Sequence, residues 1–133
     1  MVPARSFYMF IVEEESYQEL KKLRELRVNG DQAEKFQRIE ISDHALIAIR
    51  KNEFITIVAE YEIDQCRVGP KIVYLHLEPI YNAPIHNGLK FNSVIYSTLT
   101  TFENPEMWTR KIRDPLVKMD ESDFKILVKK LTA

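Results

Sequence analysis

The sequence has few of the residues that build phosphate-binding loops and covalent cross-links. It contains three glycines and one cysteine, Cys66, in 133 residues. A glycine-rich phosphate loop needs several close glycines so that its backbone N–H groups can approach the ligand, which excludes nucleotide-binding enzymes of that type. One cysteine has no partner for an intrachain disulfide, which excludes a disulfide-stapled secreted scaffold.

Long apolar runs and an excess of either charge are also absent. No run approaches the roughly 20 apolar residues that span a bilayer, and the start, Met1 to Arg5, has no apolar signal-peptide region. We therefore expect an intracellular, cytoplasmic and soluble protein with no membrane partner. The 19 basic and 20 acidic residues give a net charge of -1. Binding to nucleic acid would thus require a local basic patch, because the whole chain provides no attracting field.

Familiar catalytic motifs are missing as well. The sequence has no G-x-G-x-x-G, P-loop, H-E-x-x-H or G-x-S-x-G pattern. His44, His76 and His86 lie on separate segments without the i, i+4 spacing of a metal-binding pair, and we interpret them as exposed or hydrogen-bonded side chains. Cys66 is interpreted as an unreactive thiol. The sequence therefore predicts no enzyme, no metal site and no cofactor.

Hydrophobic periodicity predicts α+β architecture for a single domain over residues 1–133. Hydrophobic residues make up 45% and charged residues 29% of the chain, as in ordinary globular proteins. The first predicted elements are a strand at Ser6–Val12, a helix from a capping box at Ser16 to about Val28 with a stop at Asn29-Gly30, and a helical turn at Gln32–Arg38. A hairpin of His44–Arg50 with Phe54–Asp64 follows, and then a turn at Gln65–Pro70. The next element is a strand at Lys71–Leu77, which Pro79 ends or places at an edge.

The last third is predicted to be helical. A short helix is expected over Leu89–Leu99, and Asn104-Pro105 is a typical helix start. Asp120 is placed to cap a final helix, with Met119 and Phe124 as its hydrophobic staple. Its apolar stripe has the spacing i, i+3, i+4, i+7: Phe124, Leu127, Val128 and Leu131. Strands precede helices in this order, which favours a mostly antiparallel sheet.

The only tryptophan, Trp108, stands beside a cluster of cations. Arg110, Lys111 and Arg113 follow it within five residues. In one interpretation, the aromatic ring stacks a base and the neighbouring cations neutralise phosphates. A core tryptophan whose charged neighbours face water is the other. A second basic stretch, Lys21 to Arg27, is interleaved with Glu25 and is interpreted as a solvated face.

The order of elements resembles the EVE-domain family of PUA-like proteins, relatives of the YTH domains. The resemblance rests on the first strand (Phe7 to Val12), the helix with an aromatic at its first turn (Ser16-Tyr17), the loop with Gly30, a strand running into Pro79, the lone Trp108 and the closing helix from Asp120. It implies a small, mostly antiparallel β-barrel with flanking helices. It also implies a non-catalytic module that binds RNA or DNA and takes a modified base into an aromatic-lined pocket. The implied nucleic-acid-binding residues are Tyr17, Asn29, Gly30, Trp108, Arg110, Lys111 and Arg113.

The sequence departs from the family at the expected pocket. Family members carry an aromatic next to the glycine after the first helix, where this chain has Val28-Asn29-Gly30. The Gly-Asp turn before the next strand is Ser42-Asp43 here. The alternative hypothesis is therefore an interaction or structural protein that kept the fold without the pocket, with a homodimer as one form. Its interface would use the apolar residues around Ile80, Tyr81 and Ile85.

Overall fold

The strands and helices follow one another as a β-α-β unit and then a series of antiparallel strands. A computed structural model describes residues 5–51, 54–91 and 115–133. The elements in these ranges are β1 (Phe7–Val12), α1 (Glu14–Leu23), β2 (Glu25–Asn29), a 3₁₀ segment (Gly30–Phe36), β3 (His44–Lys51), β4 (Phe54–Val68), β5 (Ile72–Asn82), a 3₁₀ turn (Ile85–Asn87), β6 (Leu89–Phe91), β7 (Leu116–Met119) and α2 (Glu121–Leu131). None of the helices in the described part has the length and apolar character needed to cross a membrane.

The described strands form one mixed sheet that curls into a half-barrel. The strand order is β2-β5-β4-β3-β1-β7, and β6 pairs with β4. The β1–β3 pair is parallel and the other pairs are antiparallel. The predicted α+β class with a mostly antiparallel sheet is thus confirmed.

Both faces of the central strands are buried, which explains their continuous apolar sequences. On β1, Tyr8 and Phe10 belong to one hydrophobic cluster, whereas Met9 and Ile11 belong to the other, because successive side chains alternate between faces. Helix α1 packs on the first face through Tyr17 and Leu20. On the second face α2 contributes Phe124, Leu127 and Leu131, which confirms the predicted amphipathic stripe except that Val128 is only partly buried.

Helix α1 is shorter than predicted, and the residues after it form a strand. The helix begins at Glu14 after Glu13, which makes no side-chain cap bond, so the predicted capping box at Ser16 is wrong. It ends at Leu23, and Arg24 takes a left-handed conformation with φ 55°. The next five residues pair with β5, where Leu26 faces Leu75. Pairing with the neighbouring strand therefore overrides the helix-favouring local sequence.

Strands β4 and β5 are longer than predicted. The sequence predicts a turn at Gln65–Pro70, but β4 continues through the first part of this segment to Val68. Strand β5 runs through Pro79, which faces Tyr61 at a register shift between Glu60 and Tyr61. A proline fits there because the irregular pairing at a bulge does not require its missing N–H.

Three further differences concern the last third. The predicted helix from Leu89 begins instead with β6, which pairs with Ile55–Ile57 of β4. The four-residue strand β7 was not predicted. Asp120 does precede α2 as expected, but no side-chain cap bond forms there, and Met119 and Phe124 lie in the same buried cluster. The predicted helix start at Asn104-Pro105 lies outside the described residues.

Ser42 and Asp43 show how the chain replaces a Gly-Asp turn. Ser42 adopts φ 77°, a conformation that glycine takes without steric cost. The buried Asp43 carboxylate accepts hydrogen bonds from the N–H groups of Ser6 (2.9 Å) and Glu40 (2.9 Å). These bonds fix the entry into β3 beside β1, together with backbone hydrogen bonds from the Ser42 N–H to the Ile63 carbonyl (2.8 Å) and from the Asp43 N–H to the Glu40 carbonyl (3.2 Å).

Candidate nucleic-acid interface

The structure describes some of the nucleic-acid-binding residues implied by the family resemblance, whereas others lie outside its described ranges. Tyr17, Asn29 and Gly30 lie along α1 and at the end of β2. The cation cluster and Trp108 lie outside the described residues, so their nucleic-acid contacts stay predictions. The physical case for the site therefore rests on the surface around α1 and β2.

Tyr17 lies in the core and ties α1 to the end of β5. Its side chain is fully buried, and the single proton of its hydroxyl is shared between two acceptors, the Ala83 carbonyl (3.2 Å) and Oδ1 of Asn82 (3.3 Å). The Tyr61 hydroxyl donates to the same Asn82 oxygen at 2.7 Å. The Lys21 ammonium lies 4.9 Å from the Tyr17 ring centroid. Stacking a base on Tyr17 would thus require its covering side chains to move, and that contact stays a prediction.

The buried Tyr17 hydroxyl predicts a loss of stability at high pH. Burial, with a smaller contribution from Tyr61, raises the pKa of Tyr17 from 10.0 to about 12. The stability contributed by its protonated form is therefore complete below pH 10 and is lost as the pH rises towards 12. Two pKa units correspond to about 3 kcal/mol once the native hydroxyl is fully deprotonated. We expect urea unfolding to show the free energy of wild type falling relative to Tyr17→Phe by about 2 kcal/mol between pH 9 and 12, because the native hydroxyl is half deprotonated at pH 12. Parallel pH profiles would contradict it.

Asn29 and Gly30 form the junction between β2 and the 3₁₀ segment. Asn29 faces Ile72 on β5, and the Gly30 N–H donates to the Lys71 carbonyl at 3.0 Å. Gly30 has φ 66°, and a Cβ built on it meets no atom within 4 Å. A glycine is thus favoured at this position by its positive φ, and not by a neighbouring atom that a Cβ would contact. This role needs no ligand.

Asn29 also lines a hollow of about 500 Å³ beside α1 and β2. The other lining residues are Ser16, Glu19, Leu23, Glu25, Leu26 and Arg27. They bring carboxylates, one guanidinium and one amide together, but no aromatic ring. Val28, where the family carries an aromatic next to the glycine, packs against the hydrophobic core. In the described residues this hollow therefore offers hydrogen bonds to a base edge and no stacking surface.

A second hollow, of about 590 Å³, lies on the α2 side of the sheet and was not predicted. Phe7 and Phe124 meet there with ring centroids 4.9 Å apart, and the His44 ring lies 6.0 Å from Phe7. Nδ1 of His44 lies 2.9 Å from Oε2 of the buried Glu60. Residues distant in sequence meet here through β1–β3 pairing and α2 packing, so only the alternation of β1 side chains could have indicated it.

Arg5, Lys125 and Lys129 stand around this second hollow and Glu121 also lines it. Lys125 forms an ion pair with Glu121 at 3.0 Å. The charges are therefore mixed, and the hollow lies on the opposite face of the sheet from the one at Asn29. The two hollows do not combine into one binding surface.

Cys66 and His76 lie on neighbouring strands β4 and β5 with different surroundings. Burial raises the pKa of the half-buried Cys66 thiol, which favours its neutral form at physiological pH. His76 is partly exposed, and its Nδ1 lies 3.0 Å from Oδ2 of Asp64 and 3.9 Å from Oε1 of Glu78. The structure thus brings two carboxylates to a histidine that stands alone in the sequence.

Comparison with solved structures identifies the fold. No protein-family model matches the sequence, and no curated protein matches it. The DUF55 domain of human thymocyte nuclear protein 1 matches with a TM-score of 0.68 and 11% identity, over 95% of this chain and 98% of that chain. The fold is that of the PUA-like EVE and YTH domains.

Two further solved structures share this fold. Human THYN1 in complex with DNA containing 5-methylcytosine matches with a TM-score of 0.67 and 13% identity, over 96% of this chain and 98% of that chain. The MmI1 YTH domain matches with a TM-score of 0.58 and 8% identity, over 96% and 95% of the two chains. The resemblance to EVE and YTH domains drawn from the order of elements is thereby confirmed at the level of the fold.

Proposed function

We propose that this PUA-like chain is a non-catalytic module that binds nucleic acid and reads a modified base. The observation that carries the proposal is the fold: a structure that matches over 96% of this chain is of a protein bound to DNA containing 5-methylcytosine.

The proposed mechanism divides the binding energy between stacking and charge. Taking a base out of a duplex costs a few kcal/mol, and stacking on an aromatic ring returns about 1–3 kcal/mol. Contacts between cations and phosphates have to supply the remainder. Because the hollow at Asn29 has no aromatic wall in the described residues, we assign stacking to Trp108. Asn29 would hydrogen-bond the base edge, and Arg110, Lys111 and Arg113 would hold the backbone.

Fluorescence anisotropy of labelled oligonucleotides tests this function. The set comprises single-stranded and duplex DNA and single-stranded RNA, and each DNA is made with and without 5-methylcytosine. We expect binding at low salt that weakens as salt rises, and tighter binding of the modified member of a pair. Equal affinity for modified and unmodified members would contradict recognition of the modified base and leave the proposal of nucleic-acid binding standing. Absence of binding throughout the set would contradict the whole proposal.

A second candidate function, an interaction protein, is favoured by an exposed apolar pair on β5. Ile80 is 50% and Tyr81 37% exposed. Among the described strands, β2 pairs with β5 only up to His76, so this end of β5 is paired on its β4 side alone. Ile85 does not belong to this surface, since it packs partly buried against the core. Sedimentation equilibrium of wild type and Ile80→Lys distinguishes the two functions, since a dimer abolished by the substitution would support this candidate.

A further inference from the structure

Three possible metal ligands, Asp64, His76 and Glu78, meet where β4 pairs with β5. His76 and Glu78 are two residues apart on β5, so the alternation of a strand places both on one face. Asp64 joins them through a β-bulge. Ile63 faces Leu77 and Gln65 faces His76, which leaves Asp64 as the extra residue on β4. A bulge redirects the side chain it carries, and here it brings the carboxylate to the histidine.

The separations of the three ligand atoms suit a small divalent ion. Nδ1 of His76 lies 3.0 Å from Oδ2 of Asp64 and 3.9 Å from Oε1 of Glu78, and the three groups offer ligand atoms that all lie within 4.8 Å of one another. Ligand atoms bound tetrahedrally at 2.0–2.1 Å from zinc are about 3.3 Å apart. The His76 distances bracket that value. Because the side chains are 37–46% exposed, their rotamers have room to bring the three ligand atoms to that separation.

The charges around the three ligands also favour a cation. Glu25 faces His76 across the β2–β5 pair, and Glu62 faces Glu78 across the β4–β5 pair. Like charges directly opposite on antiparallel strands are destabilising, and a bound cation would relieve the repulsion between Glu78 and Glu62, whose Oε2 also lies 3.5 Å from Nε2 of His44. The opposing charges are Arg24, whose guanidinium lies 3.2 Å from Oε2 of Glu78, and Arg67, which lines the hollow beside His76. Four carboxylates therefore stand against two guanidinium groups.

Arg24 also orients the Glu78 carboxylate. It binds Oε2, while Oε1 is the oxygen nearer His76. The Arg24 carbonyl accepts the N–H of Leu77 at 2.8 Å, which holds the end of α1 against β5. Outer contacts of this kind fix the direction of a metal-binding carboxylate.

We propose that Asp64, His76 and Glu78 bind a divalent transition-metal ion of the zinc class. One imidazole and two carboxylates match the ligands of Zn²⁺, Co²⁺ and Ni²⁺, whereas Mg²⁺ and Ca²⁺ prefer oxygen ligands alone. Three protein ligands leave further coordination positions to water. The site is independent of nucleic-acid binding, and its spacing in the sequence gave no reason to expect it.

Titration of the untagged protein with Zn²⁺ in a calorimeter, and with Co²⁺ followed by visible absorption, tests the site. We expect one ion per chain, a visible Co²⁺ spectrum that Zn²⁺ displaces, and a rise in Tm with Zn²⁺. His76→Ala and Asp64→Asn should each weaken Zn²⁺ binding about tenfold or more, because loss of a direct ligand costs at least as much as loss of an outer contact.

His86→Ala is the matched control, since it removes a histidine elsewhere in the chain and should leave the isotherm unchanged. Circular dichroism of each variant without metal establishes that it is folded. Binding that disappears with His76→Ala and persists with His86→Ala supports the site. Absence of one-to-one binding by wild type at millimolar Zn²⁺, or equal binding by wild type and His76→Ala, would overturn it.

Discussion

Replacing both Arg110 and Lys111 with alanine should weaken oligonucleotide binding about a hundredfold at about 50 mM salt. Each cation that neutralises a phosphate releases counterions from the nucleic acid. On duplex DNA, each such contact therefore raises the association constant by about 0.9 of a logarithmic unit for every tenfold dilution of salt. Two lost contacts should therefore also lower the salt slope of the association constant by about 1.8 for duplex DNA and by about 1.4 for single strands. Anisotropy titrations at four or five salt concentrations measure both quantities.

The matched control is the double substitution of Lys129 and Lys130, two adjacent exposed cations at the end of α2. It changes the net charge by the same amount and should alter affinity far less. Equal losses from the two double variants would show that only total charge matters. That result would contradict a binding surface centred on Trp108. The melting temperature of the control is expected to be unchanged, because exposed charges contribute little to stability. An unchanged melting temperature of the Arg110 and Lys111 variant, together with lost binding, would place those cations at the binding site.

Phe10→Ala should destabilise the protein by about 3–5 kcal/mol. Phe10 is fully buried on β1, between β3 and β7, and its ring centroid lies 5.3 Å from that of Phe36. Truncation removes the ring from the cluster that joins α1, the 3₁₀ segment and the sheet. The surroundings are held by strand pairing on both sides and have little freedom to collapse into the space. Urea unfolding at neutral pH measures the change.

Tyr74→Ala serves as the control for loss of an aromatic ring from a strand. Tyr74 lies on β5 and is 36% exposed, so its removal leaves no closed cavity. We expect its cost to be less than half that of Phe10→Ala. A similar cost for both variants would contradict the assignment of Phe10 to the packed centre of the sheet.

Elements whose sequence pattern is local were predicted well. The apolar run of β1, the short link of the β3–β4 hairpin and the i, i+3, i+4, i+7 stripe of α2 each fall within a dozen neighbouring residues. Their hydrophobic period is sufficient to predict their structure without knowledge of their contacts with distant segments. The α+β class followed from these elements and their order.

Elements that depend on distant pairing were not predicted. Leu26 has helix-favouring neighbours, but its place opposite Leu75 on β5 makes it part of a strand. The bulge that turns Asp64 towards His76 follows from the register of β4 against β5, which no local pattern encodes. For the same reason the histidines looked isolated, although His44 contacts Glu60 and His76 contacts Asp64.

The candidate site was predicted only in part. The sequence indicated that the wall beside Gly30 lacks an aromatic, and the hollow at Asn29 has none in the described residues. It did not indicate that the Tyr17 hydroxyl binds the end of β5, because a tyrosine at the first turn of a helix fits packing and stacking equally well. The contacts of Trp108, Arg110, Lys111 and Arg113 stay predictions.

The emission of Trp108 tests the central claim most directly. It is the only tryptophan, so the tryptophan fluorescence reports on the basic segment alone. Titration with a single-stranded DNA containing 5-methylcytosine at low salt should change the emission saturably, and the association constant should fall as salt rises. Unchanged emission at low salt, with modified and unmodified DNA and RNA alike, would contradict the proposal that Trp108 and its neighbouring cations bind nucleic acid.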